Sequence, residues 1–332
     1  MNYRFLGTTG VKVSELCLGT MTFGREADEK ESQAILDRYL DAGGNFLDTA
    51  NVYGRSPGDT EKVVGKIIAG KRDRVVLATK VFGKMGNGPN EQGLSRLHIL
   101  SEVENSLRRL KTDRIDLYYL HNWDHPTRIQ EALRVTDDLV RSGKVLYLGV
   151  SNFAARHLMK SLCVAEQRGL SGICCLQAQY SLVERSVENE LLPLCREEGL
   201  GFVAWGPLAG GFLSGKYAPG GKPNTDTRLA VSKDPQEASW KNKATEHNFT
   251  ISAKVKEIAA GKGRTPAQIA LAWLLSQAGL TAPILGARSK VQLEENLGAP
   301  EVALSQEEIS DLNKVSATPL LYPYRMYERT VR

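Results

Sequence analysis

Four polar side chains stand at or just after the ends of short apolar segments of the chain. Asp48, Lys80 and His121 each end such a segment, and Tyr53 follows Asp48 in the next loop. In a barrel of parallel strands, the carboxyl ends of the strands converge on one face, where active sites are built. An acid, a phenol, an amine and an imidazole meeting there would suit the transfer of a proton to a carbonyl oxygen.

Each of the four side chains has a distinct role in such a transfer. A free tyrosine has a pKa of about 10, so Tyr53 would hold its proton at neutral pH. It becomes a workable acid if a nearby cation stabilises the phenolate left behind, and Lys80 would supply that cation. Asp48 would orient Lys80 through an ion pair. His121 would polarise the carbonyl oxygen from the other flank.

The elements that must position these side chains follow a regular alternation of short β-like and helix-period segments. This alternation over 332 residues predicts an α/β fold, a (β/α)8 TIM barrel of eight parallel strands. Two further segments, Tyr3–Phe5 and Val11–Val13, predict an N-terminal β-hairpin. The eight predicted barrel strands are Leu16–Gly19, Phe46–Asp48, Val75–Lys80, Ile115–His121, Val145–Ser151, Ile173–Gln179, Gly201–Trp205 and Ala282–Gly286.

We expect a single domain over residues 1–332, with a barrel core at 14–315 and a C-terminal tail at 316–332. A long loop between strand 7 and strand 8, residues 215–248, is rich in Gly, Pro, Lys and Asp. Loops of that length are usually either functional or disordered. The tail carries several tyrosines, and two alternatives stay open for it: it folds over the barrel mouth, or it packs as surface cover.

Three helix starts are predicted from capping patterns. Ser101–Glu104 has the spacing of a capping box before a helical apolar face. Thr265 precedes Pro266, which suits an N-cap followed by proline in the first helical turn. Ser305 is followed by Glu308 at the capping-box spacing.

Composition excludes several classes of protein. The balance of 43 basic and 38 acidic residues is only +5, with no dense Lys/Arg block, so we expect no nucleic-acid partner. The longest apolar stretches are too short to span a membrane. The first residues lack a signal-peptide pattern, and the five cysteines are scattered, so we expect reduced thiols and a cytoplasmic protein. The partner we expect is a small molecule; oligomeric state is undetermined.

Common cofactor motifs are absent from the sequence. There is no Gly-x-Gly-x-x-Gly, so a Rossmann dinucleotide site has no support. Gly65–Lys71 has the spacing of a phosphate-binding loop, but Arg72 stands where a metal-binding Ser or Thr is needed. There is also no His-Glu-x-x-His pattern, and we predict no metal site.

The residues around the four polar side chains resemble the aldo-keto reductase superfamily over essentially the whole chain. Phe46–Gly54, which contains Asp48 and Tyr53, resembles the family's first signature. Lys80 and His121 fall where its other two catalytic residues fall. Val145–Phe153 resembles its second signature. The resemblance implies a TIM barrel, a nicotinamide cofactor and reduction of a carbonyl group.

The resemblance also implies a set of cofactor-binding residues. The group expected around the nicotinamide and its ribose is Gly19, Thr20, Met21, Asp48, Ser151, Asn152, Gln177 and Trp205. The group expected along the pyrophosphate is Gly206, Pro207, Leu208, Gly210, Lys216 and Arg228. The group expected at the adenosine is Gly286, Ala287, Arg288, Gln292, Glu295 and Asn296. This pattern is similar to that of the family's longer-chain branch, which includes bacterial reductases and potassium-channel β-subunits.

The choice between NADPH and NADH rests on a departure from the family's best-known branch. That branch places a lysine, a serine and an arginine around the adenosine 2′-phosphate, where this chain has Gly286, Ala287 and Gln292. Arg288 and Lys290 could still pair with a phosphate. The resemblance therefore favours NADPH, with NADH as an alternative.

Three functional hypotheses follow. The leading one is a reversible NADPH-dependent reductase of aldehydes or ketones, with Tyr53 as proton donor. The second is a redox-sensing regulatory subunit resembling potassium-channel β-subunits. The third, from fold alone, is a barrel glycosidase, which lacks a second carboxylate at a strand end to pair with Asp48. We expect Phe23 and Trp123 in the outer substrate pocket; which carbonyl compound is reduced cannot be read from these residues.

Overall fold

A computed structural model describes residues 1–223, 228–231, 240–320 and 322–327. It begins with an antiparallel hairpin of strands β1, Tyr3–Phe5, and β2, Lys12–Ser14. Gly7, in the turn of this hairpin, has a φ of +59° and lies against the backbone of Gly199 and Gly201. A side chain at Gly7 would collide with that backbone, so only glycine lets the hairpin close the amino-terminal end of the barrel.

Eight parallel strands form a closed barrel, which confirms the predicted (β/α)8 fold. The last strand pairs with the first, so that Gly286 lies beside Gly19, and Gly19 lies beside Asp48. The barrel strands are β3 Cys17–Gly19, β4 Phe46–Asp48, β5 Val76–Val81, β6 Ile115–Leu120, β7 Val145–Ser151, β8 Ile173–Gln179, β9 Gly201–Trp205 and β10 Leu280–Gly286.

The strands are short and apolar because helices cover their outer face and other side chains fill the interior. Every residue of β6 is buried, as expected for a parallel strand enclosed on both faces. Inside the amino-terminal half of the barrel, Cys17, Phe46 and Tyr119 pack with the hairpin residues Leu6 and Val13. Asp48, Ser151 and Gln177, all buried polar residues, lie at or near the carboxyl ends of their strands.

Helices follow the strands around the barrel. The α-helices of the described residues are α1 Glu29–Asp41, α2 Asp59–Ile67, α3 Arg96–Leu110, α4 Ile129–Arg141, α5 Ala155–Gln167, α6 Leu191–Glu197, α7 Arg228–Val231, α8 Trp240–Lys243, α9 Glu246–Lys262, α10 Pro266–Leu275, α11 Lys290–Leu297, α12 Gln306–Val315 and α13 Tyr324–Tyr327. Short 3-10 helices lie at Arg72–Arg74, Ser186–Glu188, Ala209–Ser214 and Ala299–Glu301. None of the helices in the described ranges is long and apolar enough to cross a membrane.

Two of the three predicted helix caps are confirmed. Thr265 and Ser305 each form a complete capping box, at the starts of α10 and α12. The prediction for Ser101 is wrong, because Ser95 caps α3 by accepting a hydrogen bond from the His98 backbone amide. Ser101 lies inside α3, where its spacing to an acidic residue has no capping role.

The segment between β9 and β10 is longer than the other connections, as predicted. Within it, residues 224–227 and 232–239 lie outside the described residues. The predicted loop end at Asn248 is too late, because Thr245 caps α9 by accepting from the Asn248 backbone amide. In the described part of the tail, Tyr322 is 74% exposed and α13 carries no buried residue.

Candidate active site

The carboxyl ends of the barrel strands open into one cleft of about 1230 Å³. The final residues of β3, β4, β7, β8, β9 and β10 line it: Gly19, Asp48, Ser151, Gln179, Trp205 and Gly286. His121, directly after β6, and Tyr53, in the loop after β4, also line the cleft. The structure thus brings three of the four predicted polar side chains to its wall.

The fourth, Lys80, lies beneath that wall and is completely buried. Its ammonium donates to Asp48 Oδ1 at 2.5 Å, to the Thr49 carbonyl oxygen at 2.8 Å, and to Tyr53 Oη at 3.4 Å. An ammonium has three hydrogens to donate, and each has one acceptor here. Lys80 is therefore aimed at the Tyr53 hydroxyl by two other bonds.

Lys80 carries its positive charge at neutral pH. Burial alone would lower its pKa, but the neighbouring Asp48 and Tyr53 outweigh burial, so that the pKa of Lys80 is raised above its ordinary value. A buried ammonium with a carboxylate partner is thus the permanent neighbour of the Tyr53 phenol.

Asp48 joins the Lys80 side of the site to β8. Its Oδ1 accepts from Lys80, and its Oδ2 accepts from Gln177 Nε2 at 2.8 Å. Only 2% of Asp48 is exposed, so both bonds lie in a region from which water is excluded. Each carboxylate oxygen has a donor, which holds the carboxylate plane and both of its partners in place.

The His121 ring lies against the Tyr53 ring, and both line the cleft. The two rings meet edge to face, with centroids 6.0 Å apart. Burial and the positive charge of Lys80 lower the pKa of His121 to about 3. The imidazole is therefore neutral at physiological pH, and it can act as a hydrogen-bond donor beside the phenol.

A second group of polar side chains lines the cleft at the ends of β7, β8 and β9. Asn152, directly after β7, has a positive φ of 56°. Its Nδ2 donates to the His121 carbonyl oxygen at 3.1 Å, and its Oδ1 accepts from Trp205 Nε1 at 3.0 Å. These bonds hold a backbone conformation that is uncommon for a residue other than glycine. Asn152 thereby ties three strand ends together.

Ser151 has a hydroxyl that no side chain or backbone group satisfies among the described residues. The residue is buried, and it lines the cleft. Because buried hydroxyl groups are nearly always hydrogen-bonded, this one is suited to a polar group brought by a ligand.

The structure places most of the predicted cofactor residues along this one cleft. Those that line it are Gly19, Thr20, Met21, Asp48, Ser151, Asn152, Gln177, Trp205, Gly206, Pro207, Leu208, Gly210, Lys216, Gly286, Arg288, Gln292, Glu295 and Asn296. Arg228 begins α7, and its side chain lies outside the described residues. Ala287 does not line the cleft; its side chain is in the core and its carbonyl oxygen accepts from Thr22 Oγ1 at 2.6 Å.

The two predicted pocket residues lie elsewhere. Phe23 is completely buried against the core between α1 and the barrel, so it cannot contact a ligand in this conformation. Trp123 stacks on His157 with ring centroids 4.0 Å apart and meets Phe153 edge-on. Neither is among the residues that line the cleft. The turn after β3 and the loop after β6 direct these rings into packing.

Several cleft residues escaped the sequence prediction. Gln179 ends β8 and Asn122 follows His121, so the strand-end rule that identified Asp48 would have found both. Arg25 and Glu26 also line the cleft, from the connection between β3 and α1. Their sequence carries no comparable signal, because only the path of that connection brings them to the cleft.

Residues 15–317, most of the chain, match the model of the aldo/keto reductase family. The chain therefore belongs to the aldo/keto reductase family, which confirms the resemblance seen in its motifs. The barrel and its cleft are those of an oxidoreductase that acts on carbonyl groups.

Individual relatives align over nearly the whole chain. An uncharacterised oxidoreductase of Bacillus subtilis, YrpG, is 43% identical over 328 residues, covering 96% of this chain and 97% of that protein. A probable voltage-gated potassium channel subunit beta of Oryza sativa is 37% identical, over 91% of this chain and 92% of its own length. Norsolorinic acid reductase A of Aspergillus parasiticus is 35% identical, over 95% of this chain and 81% of its own length.

Proposed function

We propose that this protein catalyses the reversible, NADPH-dependent reduction of an aldehyde or ketone to an alcohol. The observation that carries the proposal is the Tyr53 hydroxyl, which lies 3.4 Å from a buried, doubly anchored ammonium and on the wall of a large cleft. That arrangement is what a phenol needs in order to release a proton near neutral pH.

The residues divide the proton chemistry among themselves. Tyr53 holds the proton at Oη and donates it to the carbonyl oxygen of the substrate. Lys80 stabilises the phenolate that results, because its charge is permanent and its position is held by Asp48. The neutral imidazole of His121 donates a hydrogen bond to the same carbonyl oxygen, which fixes its orientation. In the oxidation direction, the Tyr53 phenolate accepts the proton of the alcohol, and Lys80 and His121 keep the same roles.

The cleft residues fit a nicotinamide nucleotide, which supplies the hydride when bound. The unpartnered hydroxyl of Ser151 and the side chain of Asn152 would hold the carboxamide. Gln177, which donates to the Asp48 carboxylate, would also help to hold the carboxamide. Trp205 would cover the nicotinamide ring. Asp48 accepts hydrogen bonds from both Lys80 and Gln177. This one carboxylate would therefore fix the position of the Tyr53–Lys80 pair relative to the residues that hold the nicotinamide.

The preference for NADPH rests on the cationic side chain at the adenosine end of the cleft. Arg288 lines the cleft, and its backbone amide donates to Gln292 Oε1 at 3.0 Å. Lys290 lies two residues further along the chain, with its Nζ 3.9 Å from Glu294 Oε1. A guanidinium is suited to binding a phosphate through two parallel hydrogen bonds, and Arg288 would bind the 2′-phosphate in this way.

The substitution Tyr53→Phe tests the proposal. We expect it to lower kcat/KM for aldehyde reduction by about 100-fold or more, since general acid catalysis contributes that much. NADPH binding, measured by quenching of tryptophan fluorescence, should stay within about twofold of the wild type. Tyr118→Phe is the matched control, because it removes a buried hydroxyl that has no partner among the described residues. Wild-type turnover in Tyr53→Phe would refute the proposal.

A second candidate function is a regulatory subunit that senses redox state through a bound nicotinamide. It is supported by the alignment with the probable potassium channel subunit beta of rice over nearly the full length of both chains. The two candidates differ in turnover. Steady reduction of a carbonyl over many cycles supports the reductase, whereas one oxidation of bound NADPH without further cycles supports the regulatory subunit.

A further inference from the structure

A buried ion triad lies between α2 and α3, outside the barrel and away from the cleft. Arg109 Nε donates to Glu61 Oε2 at 2.6 Å, and Arg109 Nη2 donates to Glu102 Oε2 at 3.0 Å. Glu61 is completely buried and Glu102 is 4% exposed. A buried charged group is tolerated only when several hydrogen bonds satisfy it. Glu61 and Glu102 accordingly bind other groups besides Arg109.

The remaining hydrogen bonds of Glu61 and Glu102 reach residues that lie close in the chain to Lys80 and Tyr53, the proton-transfer pair. Glu61 Oε1 accepts from Thr79 Oγ1 at 2.6 Å, directly before Lys80 in β5. Glu102 Oε2 accepts from Asn51 Nδ2 at 3.0 Å, two residues before Tyr53. The strand that carries Lys80 and the loop that carries Tyr53 are therefore anchored to the same Arg109.

Asn51 is the link between the triad and the loop. Its backbone amide donates to the Lys80 carbonyl oxygen at 3.2 Å, so it bonds the strand with its main chain and the triad with its side chain. Its Oδ1 has no partner among the described residues although it is buried. A half-satisfied buried amide is costly to stability, so stability alone does not account for an asparagine here.

The separation of Tyr53 from Lys80 is sensitive to the position of this loop. At 3.4 Å, the contact between Tyr53 Oη and Lys80 Nζ is near the outer limit of a hydrogen bond. We infer that Asn51, held by Glu102, is a positioning residue that sets this separation and with it the proton affinity of Tyr53. The inference rests on the proposed function, since it assigns Asn51 a role in the same proton transfer.

The experiment compares Asn51→Ala and Glu102→Ala with the matched control Asn105→Ala. Asn105 Nδ2 donates to the other oxygen of the same carboxylate, Glu102 Oε1, at 2.6 Å. The control thus disturbs the triad without removing the link to the loop. Glu102→Gln keeps an acceptor oxygen for Asn51 and serves as the conservative variant. The first measurement is the turnover of an aryl aldehyde with NADPH as a function of pH. The second is the titration of Tyr53 by tyrosinate absorbance, in which the curve of the same variant carrying Tyr53→Phe is subtracted from the curve of each variant.

We expect Asn51→Ala and Glu102→Ala to lower kcat by about 10- to 100-fold, the cost of misplacing a reacting group by about 1 Å, with KM for NADPH unchanged. In both, Tyr53 should titrate at higher pH than in the wild type, because the Lys80 ammonium is further away. Asn105→Ala and Glu102→Gln should match the wild type in both measurements. The double variant Asn51→Ala/Glu102→Ala should be no slower than either single variant, since both break one contact.

Two results would overturn the inference. One is an unchanged Tyr53 titration in Asn51→Ala and Glu102→Ala; the other is an equal shift in Asn105→Ala, which would mean that the triad is only structural. If Asn51→Ala does not fold, the comparison of Glu102→Ala with Glu102→Gln decides the same question. If the wild type reduces no carbonyl, the proposed function fails, but the titration of Tyr53 still decides whether Asn51 positions it.

Discussion

Replacing Lys80 by Met separates the structural role of the buried ion pair from its chemical role. Methionine has nearly the length of lysine but no charge and no donor, so the change leaves Asp48 buried without its main partner. Asp48 Oδ1 and the Thr49 carbonyl oxygen both lose a donor, and only the bond from Gln177 to Asp48 Oδ2 is kept. The perturbation is thus an unpaired carboxylate in a region that is 2% exposed.

The expected cost follows from that unpaired charge. Removing one partner of a buried ion pair destabilises a protein by about 3–5 kcal/mol, a large share of a typical stability of about 5–15 kcal/mol. The double variant Asp48→Asn/Lys80→Met leaves no unpaired charge. We therefore expect it to recover about 2 kcal/mol or more of the loss.

The pH at which the comparison is made follows from the sign of the Lys80 shift. Because the pKa of Lys80 is raised in the folded protein, its stabilisation is complete below its ordinary value of 10.5 and is lost as the pH rises through the folded pKa. Guanidinium unfolding at pH 7 therefore measures the full effect.

Activity and stability should respond differently in the two variants. Both should lack turnover, because neither has a cation to stabilise the Tyr53 phenolate. The reasoning is refuted if Lys80→Met and the double variant unfold at the same denaturant concentration, or if Lys80→Met reduces aldehydes at the wild-type rate. The first result would mean that the unpaired charge of Asp48 does not lower the stability of the folded protein. The second would mean that Tyr53 transfers its proton without a neighbouring cation.

Three further predictions concern the cofactor cleft and His121. Ser151→Ala should weaken NADPH binding by about three- to tenfold, the worth of one hydrogen bond, without lowering the midpoint of thermal unfolding, because its hydroxyl has no partner among the described residues. Arg288→Ala should weaken NADPH binding by about tenfold and NADH binding by less than about twofold, measured by fluorescence titration; equal losses would exclude a 2′-phosphate contact. For His121, a folded pKa of about 3 means that protonation favours the unfolded chain, so stability should fall as the pH drops from 6.5 towards 3. Denaturant unfolding at pH 7 and pH 4 should show a smaller loss for His121→Gln than for the wild type.

Local patterns along the chain were enough to predict the architecture. Strand segments such as Ile115–Leu120 are apolar throughout because both faces are covered, and this is visible without any partner. Thr265 and Ser305 could be identified as helix caps because a cap is formed by residues three apart. The prediction at Ser101 was wrong because such short patterns recur within one segment. Ser95, six residues earlier, is the residue that caps α3.

The site could be predicted in part because it follows a rule of the fold. Residues at the carboxyl ends of parallel strands meet on one face, so Asp48, Lys80 and His121 could be grouped before any distance was known. Their hydrogen bonds could not, and neither could the burial that lowers the pKa of His121. The burial of Phe23 could not be predicted either, because the turn after β3 decides which way that ring points.

Local patterns in the chain specify the order of the elements and the polar residues that stand at the strand ends. The contact of Arg109 with Glu61, 48 residues away, and the reach of the resulting triad to Asn51 and the loop of Tyr53 follow from the packing of α2 against α3. The physical reason is that periodicity, caps and strand ends are short-range properties of the chain. Contacts between distant residues depend on how the helices pack, and no local pattern specifies that packing.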